Sequence, residues 1–214
     1  MCAAWESTLA DPFTRLTAVA APYDPVNVDT DQIFPGRFLK MSRAEGYGQY
    51  LFHDVRRLAD GSLDPTFVLN QPAWRSARIF VGNSNFACGS SREGAAYAFC
   101  DAGFRCVIAP SFSDIFFNNC MRNGIVPVRL PALECAALRA MLQDEPGAEV
   151  TVDLDELQVT GPDGRVHAFE IDDFFRQMLL LGMDEVELTR SLLDRVVAFE
   201  QTYFARHPWA LPAP

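Results

Sequence analysis

Residues 78–109 read Arg78-Ile79-Phe80-Val81-Gly82-Asn83-Ser84-Asn85-Phe86-Ala87-Cys88-Gly89-Ser90-Ser91-Arg92-Glu93-Gly94-Ala95-Ala96-Tyr97-Ala98-Phe99-Cys100-Asp101-Ala102-Gly103-Phe104-Arg105-Cys106-Val107-Ile108-Ala109. The two ends, Ile79-Phe80-Val81 and Arg105-Cys106-Val107-Ile108-Ala109, are short apolar runs of the kind that form buried strands. Between them, residues 92–102 read as a helix closed by Gly103, a residue suited to the left-handed turn after a helix.

The helix is entered through Cys88-Gly89-Ser90-Ser91-Arg92-Glu93-Gly94. Open N–H groups at a helix start favour anions. A guanidinium can grip a carboxylate with two parallel hydrogen bonds. Two hydroxyls and Arg92 at this place suit a small carboxylic acid and also supply a reactive oxygen. A plainer reading stands beside this one. Ser90-x-x-Glu93 is a capping box, which satisfies helix N–H groups without any ligand. The two readings are compatible, because a capping serine can still present its neighbour.

Outward from this stretch the alternation continues. Ser113 is placed to cap a helix running to about Arg122, which Gly124 ends. Ile125-Val126-Pro127-Val128 follows as a strand, and Pro131 opens a helix through Gln143. Upstream, Thr17-Ala18-Val19-Ala20 and Thr66-Phe67-Val68-Leu69 read as strands. Asn27 to Pro35 reads as a polar turn leading into a short apolar segment. Residues 37–65 read as a long loop with a short helix, of a length that is commonly functional. The order of elements predicts α/β layering around a largely parallel sheet. Further on, Glu149-Val150-Thr151-Val152-Asp153 and Val166-His167-Ala168-Phe169 alternate around Gly161-Pro162-Asp163-Gly164, which predicts an antiparallel hairpin. Two helices, about 172–181 and 189–206, close the chain around Gly182. Phe174, Phe175, Met178 and Leu179 share a helix face that serves core packing or a partner. The expected organisation is a flexible leader over 1–13, an α/β domain over 14–170 and a helical extension over 171–214 packed on the same domain.

Composition narrows the function. The 214 residues carry 18 basic and 28 acidic side chains, a net charge of -10. That argues against nucleic-acid binding, which relies on Lys and Arg neutralising phosphates. No apolar run approaches the ~20 residues of a membrane helix, and Met1 to Glu6 does not resemble a secretory signal. A cytoplasmic protein without membrane contact is expected. The cysteines, Cys2, Cys88, Cys100, Cys106, Cys120 and Cys135, form no C-x-x-C pair, so no metal site or disulfide is expected within the chain. Most read as small core residues, and Cys88 stands beside the serines. Lys40 is the single lysine.

Three segments in order carry a resemblance. They are Asn27-Val28-Asp29-Thr30-Asp31-Gln32-Ile33, Asn85 through Glu93, and Gly103 through Phe116. Together with residues 47–58 and the segment Gly182-Met183-Asp184 to Leu188-Thr189, the chain resembles the small subunits of 3-isopropylmalate dehydratase, in the aconitase superfamily. The resemblance implies a swivelling β/β/α domain that closes over a large subunit carrying a [4Fe-4S] cluster, with no cofactor on this chain. It implies isomerisation of a small hydroxy diacid, 2-isopropylmalate to 3-isopropylmalate, through 2-isopropylmaleate in leucine biosynthesis. By the same resemblance Ser90 is the base, and Ser91 and Arg92 bind substrate carboxylates. Asp31 matches an acidic position expected to orient a cation or histidine of the large subunit, or else it forms a local turn. Phe38-Leu39-Lys40-Met41 falls where relatives carry a loop selecting the substrate side group. Lys40 or Arg43 would offer a cation there, and Met41 an apolar contact.

One departure bears on the substrate. Many relatives carry His where this chain has Gly94, and Trp where it has Tyr97. This leaves open a paralogous hydro-lyase for another diacid of citraconate, dimethylmalate or homocitrate type. It also leaves open a non-catalytic interaction domain on the same fold. A serine hydrolase is disfavoured, because no G-x-S-x-G elbow surrounds Ser90 or Ser91.

Overall fold

A computed structural model describes residues 11–89 and 92–211. One seven-stranded sheet organises them, with strand order β4-β3-β2-β1-β5-β6-β7. Strand β1 is Arg15–Pro22 and is followed by the short helix α1, Thr30–Ile33. Strand β2, Ile79–Val81, leads to helix α2, Gly94–Asp101. Then come β3, Cys106–Ala109, α3, Asp114–Arg122, β4, Val126–Arg129, and α4, Ala132–Asp144. Strands β1 to β4 pair in parallel, with Ala20 opposite Ile79, Ile79 opposite Cys106 and Cys106 opposite Val126. Strand β5, Glu149–Asp153, runs antiparallel on the other side of β1. The α/β class and the parallel half match the sequence reading.

Alternation along the strands builds two cores, because successive strand side chains point to opposite faces. Phe80 and Val107 enter one core, with Phe86, Phe99, Phe116 and Phe52. Ile79, Val81, Cys106 and Ile108 enter the other, against Cys135, Leu138 and Leu142 of α4. The first core is aromatic: Phe80 stacks on Phe52 at 5.5 Å and meets Phe99 edge-on at 5.2 Å. These rings are fully buried, each contributing roughly 1.5–3 kcal/mol. Phe13, assigned to the leader from sequence, belongs to the second core. It is 4% exposed and its N–H donates to the Leu179 carbonyl.

Four sequence expectations differ from the structure. Thr66 to Leu69 is no strand but a turn leading into a 3-10 helix, Val68–Asn70. Asp64 accepts from both the Thr66 N–H and hydroxyl, and Arg56 donates to Leu69 O, so side chains take up these backbone groups. The hairpin is a three-stranded meander, because β6, Gln158–Thr160, sits between β5 and β7, Val166–Ala168. The Gly161 to Gly164 turn therefore joins β6 to β7. The polar turn before Pro35 contains α1, capped by a box in which Asp29 accepts from Gln32 N–H. Finally, three α-helices rather than two follow the sheet among the described residues: α5, Asp173–Leu181, α6, Glu185–Ser191, and α7, Leu193–Arg206. The Asp184–Glu187 capping box that starts α6 was readable in the sequence.

On α5, Met178 and Leu179 are buried, whereas Phe174 is exposed. Helix α7 has no buried residue and leans on α6 and the turn Pro208–Ala210. No helix among the described residues is long and apolar enough to cross a membrane.

Candidate active site

The loops after β1, β2 and β3 leave the sheet at the carboxyl ends of its parallel strands, where ligands of open α/β sheets bind. Backbone pairing binds the three together. Cys88 N–H donates to Val28 O and Thr30 N–H to Cys88 O, each at 3.0 Å. Phe86 N–H donates to Ser111 O at 2.9 Å, and Ser113 N–H returns to Phe86 O at 3.1 Å. Ser113 caps α3 through Phe116 N–H and also donates its hydroxyl to Ala87 O at 2.7 Å. Asn27, Asn85 and Ala87 all hold positive φ, at 56°, 57° and 56°. For Ala87 this is a strained conformation, of the kind that clusters at functional sites. Three segments distant in sequence thus become one cradle.

Ser90 and Ser91 lie outside the described residues. Arg92, directly after them, stands before α2 with its Nη2 donating to Asp31 Oδ1 at 2.7 Å. The same Oδ1 accepts the Gly36 N–H at 3.1 Å. A Cβ on Gly36 would lie 2.1 Å from Arg92 Nη1, so the guanidinium rests against a bare backbone. Asp31 therefore has its cation within this chain. Helices α1 and α2 pack together, which brings the two side chains within reach.

Of the expected Ser90–Glu93 capping box, Ser90 lies outside the described residues. Helix α2 begins at Gly94, so Glu93 precedes it in αR conformation without a side-chain cap. Its Oε1 accepts from Asn123 Nδ2 at 3.0 Å, at the end of α3. The glutamate braces two helix ends against each other. Burial, with help from the Glu93 carboxylate, raises the pKa of the Tyr97 phenol.

Residues 36–50 form three short 3-10 turns over α2. Lys40 is exposed and has no hydrogen-bond or ion-pair partner among the described residues. Met41 is 37% exposed beside it, and its carbonyl accepts from the Tyr47 hydroxyl. Arg43 lies in the second of these turns. Its guanidinium lies 3.7 Å from the centre of the Tyr97 ring and its Nη2 lies 3.6 Å from Asp101 Oδ1, so α2 already engages it. Phe34 stacks on Tyr47 at 4.6 Å and Phe38 on Tyr50 at 4.2 Å. Arg37 forms a bidentate pair with Asp54, which also meets His53, and these contacts hold the Asp54 carboxyl well below the usual carboxylate range. Sequence reading gave Phe34, Gly36 and Asp29 no individual role at the site. Only the last carried a signal, the Asp29-x-x-Gln32 box.

Cys106, Cys120 and Cys135 are buried, and burial raises each thiol, Cys135 to about 11, which makes them inert packing groups. Cys88 is half-buried at the cradle.

A parallel half-sheet with its site at the strand carboxyl ends, extended by an antiparallel edge, is the architecture of the mobile domain of aconitase-type proteins. A model described as the aconitase C-terminal domain matches residues 10–133, and one described as LeuD_N matches residues 136–173. A 3-isopropylmalate dehydratase small subunit of Paramagnetospirillum magneticum is 49% identical over 93% of this chain and 99% of its own. Its counterpart from Rhodospirillum rubrum is 48% identical over 93% of this chain and 96% of its own. The crystal structure of a 3-isopropylmalate dehydratase from Methanocaldococcus jannaschii superposes with a TM-score of 0.60 at 25% identity, covering 86% of this chain and 99% of that one. The chain belongs to the family of 3-isopropylmalate dehydratase small subunits, within the aconitase superfamily.

Proposed function

We propose that this chain is the small subunit of a 3-isopropylmalate dehydratase, isomerising 2-isopropylmalate and 3-isopropylmalate in leucine biosynthesis as a heterodimer with an iron–sulfur large subunit. The observation that carries this reading is the joining of the three family segments at one edge of the sheet, with Arg92 at the start of α2 paired to Asp31. Family resemblance assigns the [4Fe-4S] cluster to the large subunit, where it would activate the leaving hydroxyl. The described residues of this chain group no three His, Cys, Asp or Glu side chains able to ligate a metal.

In this reading the chain binds, orients and moves the proton. Removing a proton beside a carboxylate needs a base and stabilisation of the charge that develops. Ser90 takes and returns that proton, its alkoxide stabilised by N–H groups at the start of α2 and by nearby cations. Ser91 and Arg92 grip a substrate carboxylate. Asp31 orients Arg92, which is the geometry it already has. Lys40 and Met41 border the site as the exposed cation and apolar contact of the turn that faces the substrate side group.

The test is reconstitution with an iron–sulfur large subunit in cytoplasm-like reducing buffer. The chain alone should be inactive, and the pair should interconvert the two isopropylmalates. Turnover of a citraconate-, dimethylmalate- or homocitrate-type diacid in their place would assign the chain to a paralogous hydro-lyase. No turnover of any of them would favour a non-catalytic interaction domain.

A further inference from the structure

Gly94, the position that departs from the family pattern, is buried at the first turn of α2. A Cβ there would stand 2.9 Å from Phe34 Cδ1, 3.1 Å from Phe34 Cε1 and 3.0 Å from Leu39 Cδ2. Its backbone does not demand glycine, since Gly94 is not among the positive-φ residues. The neighbours demand it. Phe34 is 3% exposed and boxed in by Tyr47, Phe38 and Tyr50, so its ring has nowhere to swing. Leu39 is 39% exposed and can turn outward.

The position of this contact gives it consequences. Phe34 is the C-terminal cap of α1, whose Asp31 pairs with Arg92, two residues before Gly94. Leu39 belongs to the turn that carries Lys40 and Met41. A ring resting on a bare Cα thus sets how closely α1 and the 36–41 turn approach the start of α2. Packed interiors transmit such displacements because they have no spare volume.

We infer that Gly94 is a positioning residue: Phe34 fills the volume a side chain at 94 would take, and this pair fixes the separation between Asp31, Arg92 and the 36–41 turn. The inference rests on Arg92 gripping a substrate carboxylate. It also accounts for glycine at 94, since a larger residue there and phenylalanine at 34 exclude each other.

A double-mutant cycle tests it, with G94A, F34L and the double variant each measured as the full chain and in complex with the large subunit. On helix propensity alone G94A would raise the unfolding midpoint. The expected result is a lowered midpoint and a KM for 3-isopropylmalate raised about tenfold, with kcat nearly unchanged, the signature of lost carboxylate binding. F34L added to G94A should recover most of the KM defect, which a merely structural role would not produce. A raised midpoint with unchanged KM, or additive effects of the two substitutions, would overturn the inference. If the unmodified complex does not turn over isopropylmalates, the functional reading fails by itself. The midpoints of the four chains then decide the Gly94–Phe34 pair, additivity again overturning it.

Discussion

Arg92 Nη2 donates to Asp31 Oδ1 at 2.7 Å, joining residues 61 apart in the chain. The contact holds the Arg92 guanidinium against α1 just before α2 begins. Both side chains retain some exposure, 35% and 60%, which leaves the guanidinium open to an anion, as the proposed function requires.

Replacing Asp31 by Asn should therefore loosen Arg92 without removing it. A KM rise of about three- to tenfold is expected in the reconstituted complex, with a smaller change in kcat. Arg92→Lys should cost more, on the order of a hundredfold in kcat/KM, because an ammonium cannot reproduce the bidentate fork. Equal effects from the two would reject the positioning role of Asp31.

Arg43 and Lys40 make opposite predictions. Arg43 clamps the 36–50 segment to α2 through Tyr97 and Asp101, so Arg43→Met should lower stability by about 0.5–1 kcal/mol in denaturant unfolding. Its KM should stay close to that of the unmodified complex. Lys40→Met should leave stability unchanged and raise KM, and an unchanged KM would remove Lys40 from substrate contact.

Ser113 links α3 to the cradle through two hydrogen bonds. Ser113→Ala should cost about 1–2 kcal/mol, the upper range for a lost helix cap, since Ala87 O also loses its donor. Urea unfolding measures this, and a cost below about 0.5 kcal/mol would show that the cap is dispensable.

Arg139 is buried at 6% exposure and donates to Gly82 O and Asp24 Oδ1, each at 2.8 Å. Arg139→Met keeps the stem but orphans the Gly82 carbonyl. A loss of about 1–3 kcal/mol is expected, read as a lower thermal midpoint.

The Arg37–Asp54 pair predicts a pH dependence. Its carboxyl is held below the unfolded value of about 3.9. A depressed carboxyl adds stability above the unfolded pKa and loses it as pH falls through the folded one. The stability difference between the native chain and Asp54→Asn should thus be constant from pH 7 to about 5 and vanish in stronger acid. It should be small, because both partners are half-exposed, at 52% and 48%. A difference that grows as pH falls would contradict the assignment.

Strands β2, β3 and β4 were legible because strands buried on both faces are written as continuous apolar runs. Strand β6 was not, since three residues, Gln158–Thr160, carry too little pattern to separate from a turn. Thr66 to Leu69 shows the converse. Its composition suits a strand, yet Asp64 and Arg56 capture its backbone groups.

The sequence by itself determined the layered α/β class, the family segments and the residue types that could grip a carboxylate. These are local properties, written in periodicity and in short motifs. The tertiary structure decided which charges meet. It gave Asp31 to Arg92, turned Arg43 onto Tyr97, joined Glu93 to Asn123, and set Phe34 in the space beside Gly94. Each outcome depends on where distant segments cross at the edge of the sheet, and close packing there leaves room for only one arrangement.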